Sequence, residues 1–420
     1  MKCYKVTGGA PLSGEISVHG SKNAALPILA ATVINSGKSI IHNCPDLSDV
    51  RNAFEILTLL GCTVKRNGRD VTVDSSNFSP RDIPYEIMRQ TRSSSLFAGA
   101  LLARGKRALI SGSGGCCIGR RPINLHLKAF CEMGAEIFSS DEGILCVADA
   151  LRGTRIFLDF PSVGATENIM IASSLTPATT VIYNAACEPE IMNLADYLRS
   201  VGVVIEGDGT GEIHIKGTCT PKNGEVNVSG DRIVASTYIT AVACSGGRIR
   251  LNSVDPGHLS SVIATYRKMG MKISAREDSI DVFKDTKLIN LPSIITSPYP
   301  GFPTDCQPLI VAAMATSYGI GIVNERIFEN RLGHCERLCR MGANIETSGR
   351  CAVVRGVHTL KGADVSSSDL RCGAALVCAA LGAEGESTVS NIRYIDRGYE
   401  NLCDSLKILG AKIEGTERNE

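Results

Sequence analysis

An α/β fold made of one unit repeated six times, gathered into two groups of three, is predicted by three features of the 420-residue sequence. A glycine that ends a helix and leads into a short strand recurs six times at nearly constant spacing. Helices apolar on almost every side alternate with helices that carry one polar face. Glycine accounts for 42 residues while tryptophan is absent and aromatics make up only 5%, so packing relies on small aliphatic side chains and close backbone approach.

The recurring segments read LTLLGCTV, CEMGAEI, LRSVGVVI, RKMGMKI, CRMGANI and LKILGAKI, with glycines at Gly61, Gly134, Gly202, Gly270, Gly342 and Gly410. Their separations of 73, 68, 68, 72 and 68 residues are too even for coincidence. Each glycine falls where a helix C-terminus favours a left-handed residue, which makes it a structural stop. Between the stops runs a second pattern, a helix of Ala, Leu, Ile, Val and Ser followed by a glycine turn and a strand. It is seen in NAALPILAATVINSGKSII, SSSLFAGALLARGKRALI, VASTYITAVACSGGRIRL, CQPLIVAAMATSYGIGIV and LRCGAALVCAALGAEGESTV. A helix apolar all round must be buried and one with a polar face lies outside, so sheets wrap around buried helices. A unit of about 70 residues is too long for the common solenoids, which favours grouped or closed assembly over an open array. Dividing after the third unit, near Gly230, gives a first domain of 22–229 and a second of 230–420 plus 1–21, with a cleft between them.

Charge and composition exclude several classes of function. The 44 basic and 43 acidic residues leave a formal charge of +1, without the basic excess of a nucleic-acid binder. Residues 1–20 contain no apolar signal core and no stretch reaches the ~18 apolar residues of a membrane span, so a soluble, cytoplasmic protein is expected. Cys306 to Asn324 is uncharged but interrupted, and reads as a buried helix running into a turn. Seventeen scattered cysteines, with no CxxC pair, argue against a disulfide framework or structural metal, even though Cys335 and Cys339 stand one helical turn apart.

Repetition explains architecture, so functional residues are sought among polar groups that differ between copies. The buried helices open with Lys22-Asn23, Arg92-Ser93, Thr166-Glu167, Asp231-Arg232, Thr304-Asp305 and Asp369-Leu370-Arg371. Thr166, Asp231 and Asp369 read equally well as N-caps. Lys22, Arg92 and Arg371 do not, because a cation opposes the positive end of the helix dipole unless an anion shares the site. The loops before the outer helices add Arg120, Arg121, Glu188, Glu190, Arg331, Asp396 and Arg397. Arginines gathered from distant units suit a substrate rich in phosphate and carboxylate, which guanidinium pairs with two bonds at a time. The segment 111–119, SGSGGCCIG, followed by Arg120-Arg121-Pro122, reads as a mobile lid that sets a thiol beside two cations. Spacing leaves open whether that thiol is Cys116 or Cys117.

These motifs resemble the enolpyruvyl transferase family, in its UDP-N-acetylglucosamine 1-carboxyvinyltransferase branch. The resemblance spans the chain through Lys22-Asn23-Ala-Ala-Leu-Pro, Arg92-Ser-Ser, Gly-Gly-Cys116-Cys-Ile-Gly with Arg121-Pro, and Phe160-Pro-Ser-Val-Gly-Ala-Thr166. It continues through Tyr299-Pro-Gly-Phe-Pro-Thr-Asp305, Ile327-Phe-Glu-Asn-Arg331, Asp369-Leu-Arg371 and Ile395-Asp-Arg397-Gly-Tyr. It implies two inside-out α/β domains, each of three βαβαββ repeats. It also implies transfer of the enolpyruvyl group of phosphoenolpyruvate to the 3-hydroxyl of UDP-N-acetylglucosamine with release of phosphate, the first committed step of peptidoglycan synthesis.

By the same resemblance Cys116 is the acid that protonates the methylene carbon, chosen over Cys117 because it directly follows the paired glycines. Asp305 is the base for the sugar hydroxyl. Lys22, Arg121 and Arg397 hold phosphoenolpyruvate, and Asn23, Arg331, Asp369 and Arg371 complete that shell. Arg92, the run Arg121, Pro122, Ile123, Asn124 and Leu125, Ser162, Val163, Asp305 and Ile327 contact the nucleotide sugar. No cofactor or metal is expected, since cationic side chains take the charge, and the partners are the two small-molecule substrates. As a thiolate, Cys116 is expected to be alkylated by fosfomycin, the family's inhibitor. The residues at Cys117 and Cys372, and the loop after Asp255, depart from the family's usual pattern.

Overall fold

The computed structural model describes residues 2–88, 95–110, 118–119 and 123–417. They form two units, one from the described residues of 20–115 and 121–229, the other from those of 1–19, 116–120 and 230–420. In the first, the inner helices Lys22–Ala31, Phe97–Gly105 and Val163–Ser173 pack on one another. Every residue from Ala24 to Ala31 and from Ala165 to Ser173 is buried; the first run is wholly apolar, while the second also buries Thr166, Glu167 and Asn168. The outer helices Ser48–Leu59, Asn124–Glu132 and Pro189–Ser200 bury one face each. The second unit repeats the plan with inner helices Arg232–Ser245, Gln307–Met314 and Leu370–Leu381. Its outer helices are Ser260–Lys268, His334–Arg340 and Leu402–Ile408.

Among the described residues each unit carries three sheets, and strands such as Glu212–Lys216 alternate strictly between exposed and buried residues. One face of each such strand therefore meets helices and the other meets solvent, which puts helices inside and sheets outside. Pairing between distant strands closes each trio of repeats. Gly224–Asn227, after the third repeat, runs parallel to Lys38–His42 of the first, with Val226 opposite Ile41. In the second unit Leu12–Ser17 runs parallel to Gly247–Asn252, and Lys2–Thr7 lies antiparallel between Glu386–Ser390 and Lys412–Glu417. Among the described residues no helix is long and apolar enough to cross a membrane.

All six recurring glycines adopt the left-handed backbone expected of helix stops, with φ between +82° and +108°. Each lets its outer helix turn directly into the next strand.

Two histidines, His334 buried and His126 half-buried, tie outer helices to their surroundings. The His126 Nδ1 accepts from the Asn168 amide, which also donates to the Ser95 carbonyl and accepts from Gly99 N–H. The His334 Nδ1 donates to the Arg331 carbonyl at 3.1 Å. Burial holds both rings neutral, with pKa values lowered from 6.5 to about 4.

Two predictions follow from this scaffold. Gly342→Ala meets open space and costs only the left-handed backbone, about 1 kcal/mol. Gly61→Ala adds a Cβ 2.4 Å from the Asn77 carbonyl oxygen and costs more, a difference that denaturant unfolding of the two variants measures. Secondly, the unfolded chain takes up protons on His126 and His334 that the folded chain refuses. Stability is therefore full above pH 6.5 and falls as pH drops toward about 4. Thermal unfolding across that range should lose part of its pH slope in the His126→Gln, His334→Gln double variant.

Candidate active site

In the second unit the starts of the inner helices carry a connected polar cluster around Asp305. This residue lies in the single turn Thr304–Cys306 that leads into helix Gln307–Met314. Its Oδ1 accepts from Arg331 Nη2 at 2.8 Å, and its Oδ2 accepts from Arg371 Nη2 at 2.8 Å and Nε at 3.1 Å. The arginines come from different segments. Arg331 opens the turn before helix His334–Arg340, and Arg371 lies in the first turn of Leu370–Leu381. Their side chains are only 2% and 5% exposed, whereas the carboxylate between them keeps 26%. Asp305 is thus the accessible end of an otherwise buried ionic cluster.

The rest of the cluster fixes these groups. Asp369 caps the Arg371 helix, accepting from the Arg371 and Cys372 N–H groups at 3.0 and 3.1 Å. Arg371 Nη1 donates to the Tyr399 hydroxyl at 3.5 Å, and that hydroxyl lies 2.8 Å from Thr237 Oγ1. Burial pushes the Tyr399 phenol up to about 12, so it remains an O–H. Burial works against the charge on Arg371, but the Asp305 carboxylate more than offsets it and the guanidinium is held well above its ordinary range. Asp231 caps helix Arg232–Ser245 and Arg232 lies over the Tyr299 ring. Arg397 ends the turn Ile392–Arg397, and both it and Ile327 are partly exposed.

In the first unit Lys22 opens the first inner helix, and its Nζ lies 3.2 Å from Asp49 Oδ2, with both side chains largely buried. The anion that the helix dipole argument demands at Lys22 and Arg371 is thus, in this structure, supplied by the side chains of Asp49 and Asp305. Asn23 is partly exposed beside Lys22. Ser162 caps helix Val163–Ser173 by accepting from the Ala165 N–H. Thr166 is therefore not an N-cap: it lies inside that helix, four residues past the cap, and its hydroxyl accepts from the Ala186 N–H. Ile123, Asn124 and Leu125 stand at the start of helix Asn124–Glu132, with Asn124 exposed. The Asn168 amide holds this helix and the Ser95–Gly99 segment against the helix that Ser162 caps. Next to Thr166, burial together with Glu190 and Glu188 drives the Glu167 carboxyl well above its usual range.

Cys116, Arg92, Arg121 and Pro122 lie outside the described residues, as do Cys117 and Arg120. The neighbouring Ile118 carbonyl accepts from Asn330 N–H at 2.9 Å, one residue before Arg331. Among the described residues no group of three or more His, Cys, Asp or Glu side chains is placed to hold a metal ion. Sequence reasoning missed Asp49 and Tyr399 as members of these clusters. Asp49 carried one usable signal, an acid in the first turn of an outer helix.

Comparison with known proteins gives this geometry a setting. A family model described as EPSP synthase (3-phosphoshikimate 1-carboxyvinyltransferase) matches residues 6–406. A relative named UDP-N-acetylglucosamine 1-carboxyvinyltransferase 2, from Caldanaerobacter subterraneus subsp. tengcongensis, is 47% identical over 98% of each chain. One named UDP-N-acetylglucosamine 1-carboxyvinyltransferase, from Lawsonia intracellularis, is 42% identical over 98% of each. Among solved structures, the enolpyruvyl transferase NikO from Streptomyces tendae superposes with a TM-score of 0.89 at 24% identity, covering 99% of both chains. EPSP synthase from Acinetobacter baumannii superposes at 0.77 and 16% identity, covering 99% of this chain and 100% of that one. Both share the fold. With its family match nearly end to end and relatives above 40% identity along their whole length, the chain belongs to the EPSP synthase family.

Proposed function

We propose that this protein transfers the enolpyruvyl group of phosphoenolpyruvate to the 3-hydroxyl of UDP-N-acetylglucosamine, working in the cytoplasm at the first committed step of peptidoglycan synthesis. The reading is carried by full-length likeness to relatives that bear that activity in their names. The Cys116 thiol gives its proton to the methylene carbon of phosphoenolpyruvate, making the adjacent carbon electrophilic. The sugar 3-hydroxyl adds to that carbon as Asp305 takes its proton. The new methyl group then returns a proton, the bond from carbon to the phosphate oxygen breaks, and phosphate leaves with the vinyl group restored. Lys22, Arg121 and Arg397 hold the phosphate and carboxylate, with Asn23, Arg331, Asp369 and Arg371 around them. Arg92, Arg121 to Leu125, Ser162, Val163 and Ile327 receive the nucleotide sugar.

The bonds at Asp305 add a step to this scheme. A carboxylate engaged by two guanidiniums is a poor proton acceptor until one of those bonds loosens. Phosphoenolpyruvate brings two oxyanions that compete for Arg331 and Arg371, so its arrival frees Asp305 to act as base. A related tension applies to Cys116, whose cationic neighbours favour the thiolate until substrate phosphate offsets them.

The test is phosphate release from phosphoenolpyruvate with each acceptor offered alone. Release is expected with UDP-N-acetylglucosamine; release only with 3-phosphoshikimate would move the protein to the other branch of its family. For the acid, Cys116→Asp should keep measurable turnover and lose alkylation by fosfomycin. Full activity in Cys116→Ala would show that another group gives the proton.

A further inference from the structure

Glu325 follows strand Ile320–Asn324 and is only 1% exposed. Its Oε1 accepts from the backbone N–H groups of Ile327 and Phe328 at 2.8 and 3.1 Å. Its Oε2 accepts from the Thr304 hydroxyl at 3.0 Å. A buried carboxylate that answers three donors and, among the described residues, meets no cation is there for its shape as a double acceptor. What it joins is specific. Ile327 belongs to the loop assigned to the nucleotide sugar, and Thr304 is the residue before the assigned base.

The same loop continues to Arg331, which holds Asp305 from the other side. Glu325, Thr304 and Asp305, Arg331 and the loop between 327 and 331 therefore form a closed ring of bonds. Arg326 N–H, donating to the buried Thr296 hydroxyl at 2.8 Å, anchors that ring to the end of strand Ser293–Ile295, which pairs with Ile320–Asn324. Opening the ring at Thr304 leaves the loop bonds intact but removes one of the ties that hold the Asp305 turn.

We infer that Glu325 is a positioning residue that sets the sugar-contact loop and the base Asp305 in one register, so that binding the sugar nucleotide and presenting the base are coupled. The inference rests on the proposed reaction and assigns within it a residue that touches neither substrate.

Two variants of the full-length protein test it, with kcat and KM for each substrate measured on folded protein. Thr304→Val keeps the shape of the side chain and removes only the hydroxyl. It should lower kcat about tenfold and leave KM for UDP-N-acetylglucosamine within about twofold. Glu325→Leu removes both acceptor oxygens and leaves the Ile327 and Phe328 N–H groups and the Thr304 hydroxyl unmet. It should lower kcat and raise that KM, each about tenfold. A defect of packing alone would not divide kcat from KM in this way. If Glu325→Leu does not fold, Thr304→Val decides. Wild-type kcat and KM in Thr304→Val overturn the inference while leaving the reaction standing. Absence of phosphate release by the unsubstituted protein overturns the reaction, and this inference with it.

Discussion

The chemistry proposed for this protein depends on one ionic arrangement, the Asp305 carboxylate held by the buried guanidiniums of Arg331 and Arg371. Burying two such cations is unfavourable unless a carboxylate and further hydrogen bonds meet them. Asp305 meets both guanidiniums, and the Tyr399 hydroxyl takes a further bond from Arg371. Because the carboxylate is the exposed member, an incoming oxyanion finds two pre-oriented arginines whose existing partner can be displaced. Preorganisation of this kind, more than the number of charges, lets a site stabilise a departing phosphate.

The repeat explains how such a cluster is assembled. A charged group on a buried inner helix is best accommodated at its end, so each repeat delivers charged or capping residues at the helix start. Lys22, Ser162, Asp231, Asp305 and Asp369 all stand there. Packing three such helices side by side within a unit brings their starts together without any need for the intervening sequence to be polar. The Asp305 to Arg371 bond spans 66 residues of chain through this packing alone.

The parts of the fold governed by local physics were legible in the sequence. A left-handed residue ending a helix has few candidates, so Gly61 and its five counterparts announce their conformation, and uninterrupted apolar helices announce their burial. Assigning Thr166 to a cap failed because serine and threonine four residues apart offer the same local chemistry, and only the three-dimensional path shows that Ser162 takes the cap. Asp305, Arg331, Asp369 and Arg371 stood out from helix-start chemistry and from resemblance. Asp49 and Glu325 did not, because nothing in their neighbourhood in sequence says that Lys22 or Thr304 lies within bonding distance.

In the proposed reaction Asp305, and not merely the positive charge around it, moves the sugar proton. Asp305→Asn keeps the size of the side chain and an acceptor for one guanidinium while removing the base. The direct measurement is kcat for phosphate release alongside the dissociation constant for UDP-N-acetylglucosamine. The expected result is a kcat lowered by about a hundredfold or more with the dissociation constant changed far less. A kcat within a few-fold of the unsubstituted protein would contradict it.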